Sequence, residues 1–228
     1  MMREIYMFGD SVAQGIVLGE EGGYRVSRKS CVRLLKHKGY PIRNYAVHGY
    51  TVEQGLASFR NTPTEPGSIC VVEFGGNDCD LDWDKVAWDP DHFHDGKVPL
   101  EEFRRALKQF VQEIRDREME PVLVTPVPLL STRYFQWVSQ NRDGTRILNY
   151  LRNDPESISR WQERYAIAVR KTAEECGCML ADLRAWMLEQ LEYPSLICAD
   201  GIHPNETGHE VITRDVLKYF PRDFSGLE

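Results

Sequence analysis

Apolar positions in this chain fall into short runs separated by longer stretches in which they recur every three or four residues. The runs have strand length, and the stretches between them have the period of a helix with one buried face. Residues 4–8 predict a first strand that runs into Gly9-Asp10-Ser11. Residues 24–38 predict a helix ending at Gly39, since glycine takes the left-handed turn that closes helices without strain. Residues 42–46 read as a second strand and 51–60 as a short helix. Residues 68–74 (SICVVEF) are apolar enough to be buried on both faces, as inner strands of parallel sheets are, and Gly75-Gly76-Asn77-Asp78 follows them. Pro99 opens a helix on which Leu100, Phe103, Leu107, Phe110 and Ile114 share a face. Residues 121–126 (PVLVTP) predict a fourth strand. Asp154-Pro155 predicts a helix start, continued by Ile158, Trp161, Tyr165, Val169, Thr172 and Cys176. Residues 178–181 form a short fifth strand, and a last helix covers about 205–220.

Two segments break the alternation. Residues 79–98 are polar, acidic and carry tryptophans, and 129–153 lose periodicity around Tyr134, Phe135, Trp137 and Tyr150. Both read as long loops inserted in one domain covering residues 1–228, without repeats or a flexible linker. Strands alternating with helical crossovers indicate an α/β fold with a parallel sheet covered on both faces.

Composition narrows the classes. At 228 residues and 42% hydrophobic, the chain has material for a real core. A net charge of −7 argues against a nucleic-acid partner. No apolar run approaches the roughly 18 residues of a membrane span. The start, MMREIYMFGD, has no apolar leader with a cleavage site. The six cysteines are scattered, and Cys176-Gly177-Cys178 is too tight for the usual zinc spacing. They read as reduced thiols of a cytoplasmic protein.

In open parallel sheets, functional groups gather beyond the carboxyl ends of the strands. Ser11, His48-Gly49 and Asn77 follow the first three strands, so all lie on one edge. The loop Asp200-Gly201-Ile202-His203 precedes the last helix and can return to that edge. Acyl transfer needs a serine whose proton is taken by an imidazole, a carboxylate on the other imidazole nitrogen, and donors for the developing oxyanion. Ser11, His203 and Asp200 supply the first three. The N–H groups of Ser11 and Gly49 and the Asn77 amide supply the donors.

These residues sit in four blocks that resemble those of the SGNH (GDSL-type) hydrolase superfamily. FGDS ends at Ser11, NYAVHGYT contains Gly49, GGND contains Asn77, and DGIHPN contains Asp200 and His203. The blocks occur in family order and span nearly the whole chain; GDSV replaces the common GDSL in the first. The resemblance implies a three-layer α/β/α sandwich, flavodoxin-like, with a mostly parallel five-stranded sheet. It also implies no metal, no cofactor, and ester hydrolysis through an acyl-enzyme. By the same analogy the expected substrates are small acyl esters such as acetyl, including acetylated carbohydrate. A lysophospholipase or thioesterase, an acyltransferase using the same triad, and a non-catalytic flavodoxin-like binding protein are the alternatives.

Each motif also has a plainer reading. Taken alone, Gly9-Asp10-Ser11 is a strand-to-helix junction with Asp10 or Ser11 as cap. Asp10 is expected to support the turn, Gly49 to serve as a turn glycine as well as a donor, and Asp78 to be structural. His92 and His94 lie in an acidic loop but have no recognised ligand frame. His209 is a surface or packing residue, and Cys79 ranks below Ser11 as a nucleophile because no histidine accompanies it. His48 beside Gly49, Trp83 and Trp88 in the first insert, and Tyr134, Phe135 and Trp137 in the second are the candidate substrate contacts. Long loops at this edge form binding walls or lids, or simply pack down on their own aromatics.

Overall fold

The strands are β1 (Ile5–Gly9), β2 (Ile16–Leu18), β3 (Tyr24–Val26), β4 (Ile42–Asn44), β5 (Ile69–Glu73), β6 (Glu120–Val124) and β7 (Met179–Ala181). In the computed structural model, which describes residues 2–219, five of them form one parallel sheet in the order β4-β1-β5-β6-β7. Around it lie the helices α1 (Ser11–Gln14), α2 (Cys31–His37), α3 (Val52–Arg60), α4 (Gly76–Cys79), α5 (Trp83–Trp88) and α6 (Leu100–Asp116). They continue with α7 (Ser131–Ser139), α8 (Gly144–Tyr150), α9 (Ser157–Cys176), α10 (Leu183–Leu188) and α11 (Glu206–Tyr219). This is the expected α/β architecture.

Because successive strand side chains point to opposite faces, each inner strand feeds two cores. Tyr6 and Phe8 of β1, Cys70 and Val72 of β5 and Leu123 of β6 pack with α3, α6 and α9. Ile5, Ile69, Val122 and Val124 take the opposite face and pack with α2, α10 and α11. A third buried cluster, with Trp83, Val86, Tyr134, Val138, Ile147 and Ile158, holds the two inserts together. The register pairs Gly9 with Glu73 and Glu73 with Val124, so β1, β5 and β6 end level. Their carboxyl-end loops therefore open onto one edge.

Three local readings change. The helix predicted over 24–38 is shorter: Tyr24–Val26 is the second arm of an antiparallel hairpin with Ile16–Leu18, and the helix covers only Cys31–His37. The hairpin turns through Gly22, at φ +80°, a conformation that glycine adopts freely. Neither insert is loop throughout. The first contains α5, capped by Asp82, and the second contains α7 and α8, the latter capped by Asp143. Their turns are too short for the periodicity to register, and they are stabilised by packing on each other rather than on the sheet. Finally, α10 has no counterpart among the predicted elements, and the helix expected from Asp154-Pro155 starts at Ser157. Phe220, at the end of the expected last helix, lies outside the described residues.

His209 of α11 is fully buried, and its Nδ1 faces the backbone N–H of Cys31. Burial pushes its imidazole from 6.5 down to about 4. The folded protein thus keeps His209 neutral where the unfolded chain protonates it. Its contribution is intact above about pH 6.5 and is lost progressively as pH falls towards 4, on the order of 3 kcal/mol in all. Urea denaturation across this range should show the wild type losing that much more stability than His209→Gln. Parallel pH dependences for the two proteins would be incompatible with a buried neutral imidazole.

Candidate active site

The chain leaves β1 through a sharp turn into α1. A side chain on Gly9 would collide with Ala13 and the Glu73 carbonyl, at 2.6 and 2.9 Å, so only glycine fits there. Asp10 caps α1 by accepting the Val12 N–H at 2.9 Å, and Gly15 closes the helix in the left-handed conformation. Ser11 is the first helical residue, so its N–H lies outside the helical ladder.

The loop after the 3-10 turn Tyr193–Leu196 brings the other two groups. Asp200 Oδ1 accepts the N–H groups of Ile202 and His203, and Asp200 Oδ2 lies 2.7 Å from His203 Nδ1. His203 Nε2 lies 2.9 Å from Ser11 Oγ. A carboxylate only accepts, so Nδ1 carries the imidazole proton and Nε2 accepts from the serine hydroxyl. Burial raises the Asp200 carboxyl, but its hydrogen bonds from the His203 ring and from the Ile202 and His203 N–H groups outweigh it and hold Asp200 below the ordinary range. The second insert holds this loop in place. Leu130 N–H donates to the Gly201 carbonyl, and Arg133 donates to the carbonyls of Pro194 and Ile197. Gly201 has φ +81°, and a Cβ there would stand 2.6 Å from Tyr134 N. Ser11, Asp200 and His203, 192 positions apart at the extremes, thus meet in one hydrogen-bonded run.

Asn77 follows β5 in the short helix α4, and its Nδ2 donates to Asp10 Oδ2 at 3.1 Å. The second Nδ2 hydrogen remains for another acceptor. Asp78 is fully buried and accepts from Val52 and Gly75 N–H, both at 2.9 Å, tying the start of α3 to the Asn77 turn. Burial lifts its carboxyl to about 7. Gly49 is exposed at φ +83°, in the loop between β4 and α3.

A cavity of about 680 Å³ opens beside Ser11, Asn77 and His203. Trp83 and Tyr134 line it, whereas Trp88, Phe135, Trp137 and His48 do not. Trp88 is 84% exposed. His48 and Trp137 gather instead around Tyr24 of the hairpin, beside His203. The Tyr24 ring stands edge-on to His203 at 5.0 Å and to His48 at 5.2 Å, with Trp137 at 6.3 Å. Burial and the Asp200 carboxylate keep the Tyr24 hydroxyl protonated. Tyr24 escapes any reading that extends the helix back to residue 24; the Gly22-Gly23 turn behind an apolar run is the available signal. Tyr150, Arg152, Trp161 and Gln162 also line the cavity, and no motif marks them. Among the described residues no group of histidine, cysteine or acidic side chains has a metal-holding arrangement. His92 pairs with Asp89, and His94 Nε2 with the Asp89 carbonyl. Cys79 is buried, its thiol raised well above the ordinary range by burial, and it bonds the Gly76 carbonyl at 3.2 Å. No helix among the described residues is long and apolar enough to cross a membrane.

Comparison with known proteins identifies the family. The chain is 25% identical to a GDSL esterase/lipase of Arabidopsis thaliana, over all of this chain and 90% of that protein. It is 27% identical to the human isoamyl acetate-hydrolyzing esterase 1 homolog, over 98% of this chain and 83% of that one. Its fold superposes on the lipase/acylhydrolase from Enterococcus faecalis with a TM-score of 0.64 at 23% identity, covering 96% and 95% of the two chains. Residues 7–211 match the GDSL-like Lipase/Acylhydrolase family, a stretch that contains Ser11, Gly49, Asn77, Asp200 and His203, and the chain belongs to that family of carboxylic-ester hydrolases.

Proposed function

We propose that this protein is a serine esterase that removes small acyl groups, acetyl foremost, from a polar alcohol such as a carbohydrate. The observation that carries this is the run Asp200–His203–Ser11, with contacts of 2.7 and 2.9 Å, beside the cavity. Ser11 Oγ attacks the ester carbonyl carbon while His203 Nε2 takes its proton. The negative oxygen is held by the N–H groups of Ser11 and Gly49 and by the free hydrogen of the Asn77 amide. Collapse breaks the bond to the alcohol oxygen, which receives the proton from His203. Water, deprotonated by the same imidazole, then attacks the acyl-serine and releases the acid. Asp200 holds the imidazole in the tautomer this requires and stabilises its charged form.

The small acyl group is supported by the relative named for isoamyl acetate. The polar alcohol is supported by a lining that mixes aromatic faces (Trp83, Tyr134, Tyr150) with Asn149, Arg152 and Gln162 rather than forming an apolar channel. In this reading residues 1–228 form one catalytic unit, and the inserts 79–98 and 129–153 supply part of its wall. Nitrophenyl esters of increasing length test it: acetate should be hydrolysed at least about tenfold more efficiently than laurate in kcat/KM. A laurate optimum would refute the small-acyl reading and favour a lysophospholipase or thioesterase.

A further inference from the structure

Glu73, the last residue of β5, takes no part in the scheme above, yet it lies directly under the nucleophile turn and is 2% exposed. A Cβ built on Gly9 would stand 3.2 Å from Glu73 Oε2, so this oxygen presses on the turn backbone. Oε2 meets no hydrogen-bond donor. The carboxyl beside it belongs to Asp10, itself 3% exposed, so two buried acids face each other under the nucleophile turn.

Two carboxylates cannot hydrogen-bond to each other unless one holds a proton. Their partners decide which one does. Asp10 Oδ1 accepts the Val12 N–H and Asp10 Oδ2 accepts the Asn77 amide, and both bonds favour the charged form. Glu73 has an oxygen with no donor at all, so a proton there satisfies it and gives Asp10 a further donor. Burial raises both carboxyls. It lifts Glu73 well above the ordinary range, with the Asp10 charge adding to it and the backbone N–H groups of Asp10 and Ala13 offsetting only part. Asp10, being an acceptor, also settles which way Asn77 faces: the amide nitrogen must point at it.

We propose that Glu73 is a positioning residue: it donates a proton-bearing hydrogen bond to Asp10, and Asp10 in turn aims the Asn77 amide at the oxyanion. The chain Glu73–Asp10–Asn77 is the counterpart, on the oxyanion side, of Asp200–His203 on the base side. It rests on the oxyanion role given to Asn77 above.

A double-mutant cycle on kcat reads the coupling. Glu73→Gln retains an N–H donor towards Asp10 and should stay within about threefold of wild-type kcat. Glu73→Leu removes the donor and should lower kcat by about tenfold to a hundredfold with KM little changed. In an Asn77→Ala background the same leucine should cost less than about twofold, because the group it acts through is gone. Equal losses in both backgrounds, or a Gln variant no better than Leu, would overturn the role given to Glu73. Undiminished kcat in Asn77→Ala alone would overturn the oxyanion reading instead. Should the leucine variant not fold, the wild type still decides. The infrared difference spectrum of wild type minus Glu73→Gln at neutral pH should contain a protonated-carboxyl band, in which the contribution of Asp78 cancels, and absence of that difference band would sink the proposal.

Discussion

Replacing Ser11 by alanine should lower kcat/KM for nitrophenyl acetate by about 10⁵- to 10⁶-fold, leaving only the residual acceleration that binding and oxyanion donors provide. The variant should fold. Ser11 Oγ is held by His203 Nε2, and losing one such bond costs about 1 kcal/mol. No neighbour can substitute. The Cys79 thiol is buried, has its pKa raised, and is bonded to the Gly76 carbonyl, so it offers no thiolate near the carbonyl carbon. Intact-mass analysis after treatment with a nitrophenyl phosphonate gives a second measurement. The wild type should gain one phosphonyl group and Ser11→Ala none. An alanine variant that keeps even a hundredth of the activity would place the nucleophile elsewhere.

The second large effect belongs to Asp200→Asn, which should lower kcat by about 10⁴-fold. That magnitude comes from the equivalent substitution in a well-studied serine protease. The same physics operates here because the partner set is the same. The new side chain could still accept from the N–H groups of Ile202 and His203 through its amide oxygen, so the loop would keep its shape. Its amide nitrogen, however, would face His203 Nδ1 as a donor and force the imidazole proton onto Nε2. Nε2–H then points at Ser11 Oγ, where it can take no proton. Circular dichroism and thermal melting should match the wild type while phosphonylation of Ser11 slows in parallel with kcat. Activity within about tenfold of wild type would show that Asp200 does not set the tautomer.

Much of the site can be read from the chain because its residues occupy positions that local chemistry dictates. Ser11 follows a strand through Gly9 and Asp10, and Asn77 follows another strand through Gly75 and Gly76. The sheet is equally legible, since strands such as Ile69–Glu73 are apolar in all but their last residue and their order along the chain alternates with helices. These are properties of single segments, and a sequence records them directly.

What the sequence does not carry depends on packing between distant segments. The hairpin that brings Tyr24 onto His203, the short helices of the inserts, and Arg133 gripping the Asp200–His203 loop are stabilised by contacts across many positions, not by their own periodicity. Trp83 and Trp88 show the limit most plainly. They bracket one short helix, yet the first lines the cavity with its indole N–H bonded to Asp80 and the second stands in solvent. Glu73 is the converse case. In the sequence it is a lone acid in an apolar strand, and only its placement against Asp10 gives that acid a proton to hold. The α/β order and the candidate residues Ser11, Asn77, Asp200 and His203 are therefore legible in the chain alone, because backbone conformation and residue chemistry act locally. Which aromatics face the cavity and which carboxyls are charged come only with the assembled fold, because burial and dielectric belong to it and not to any one segment.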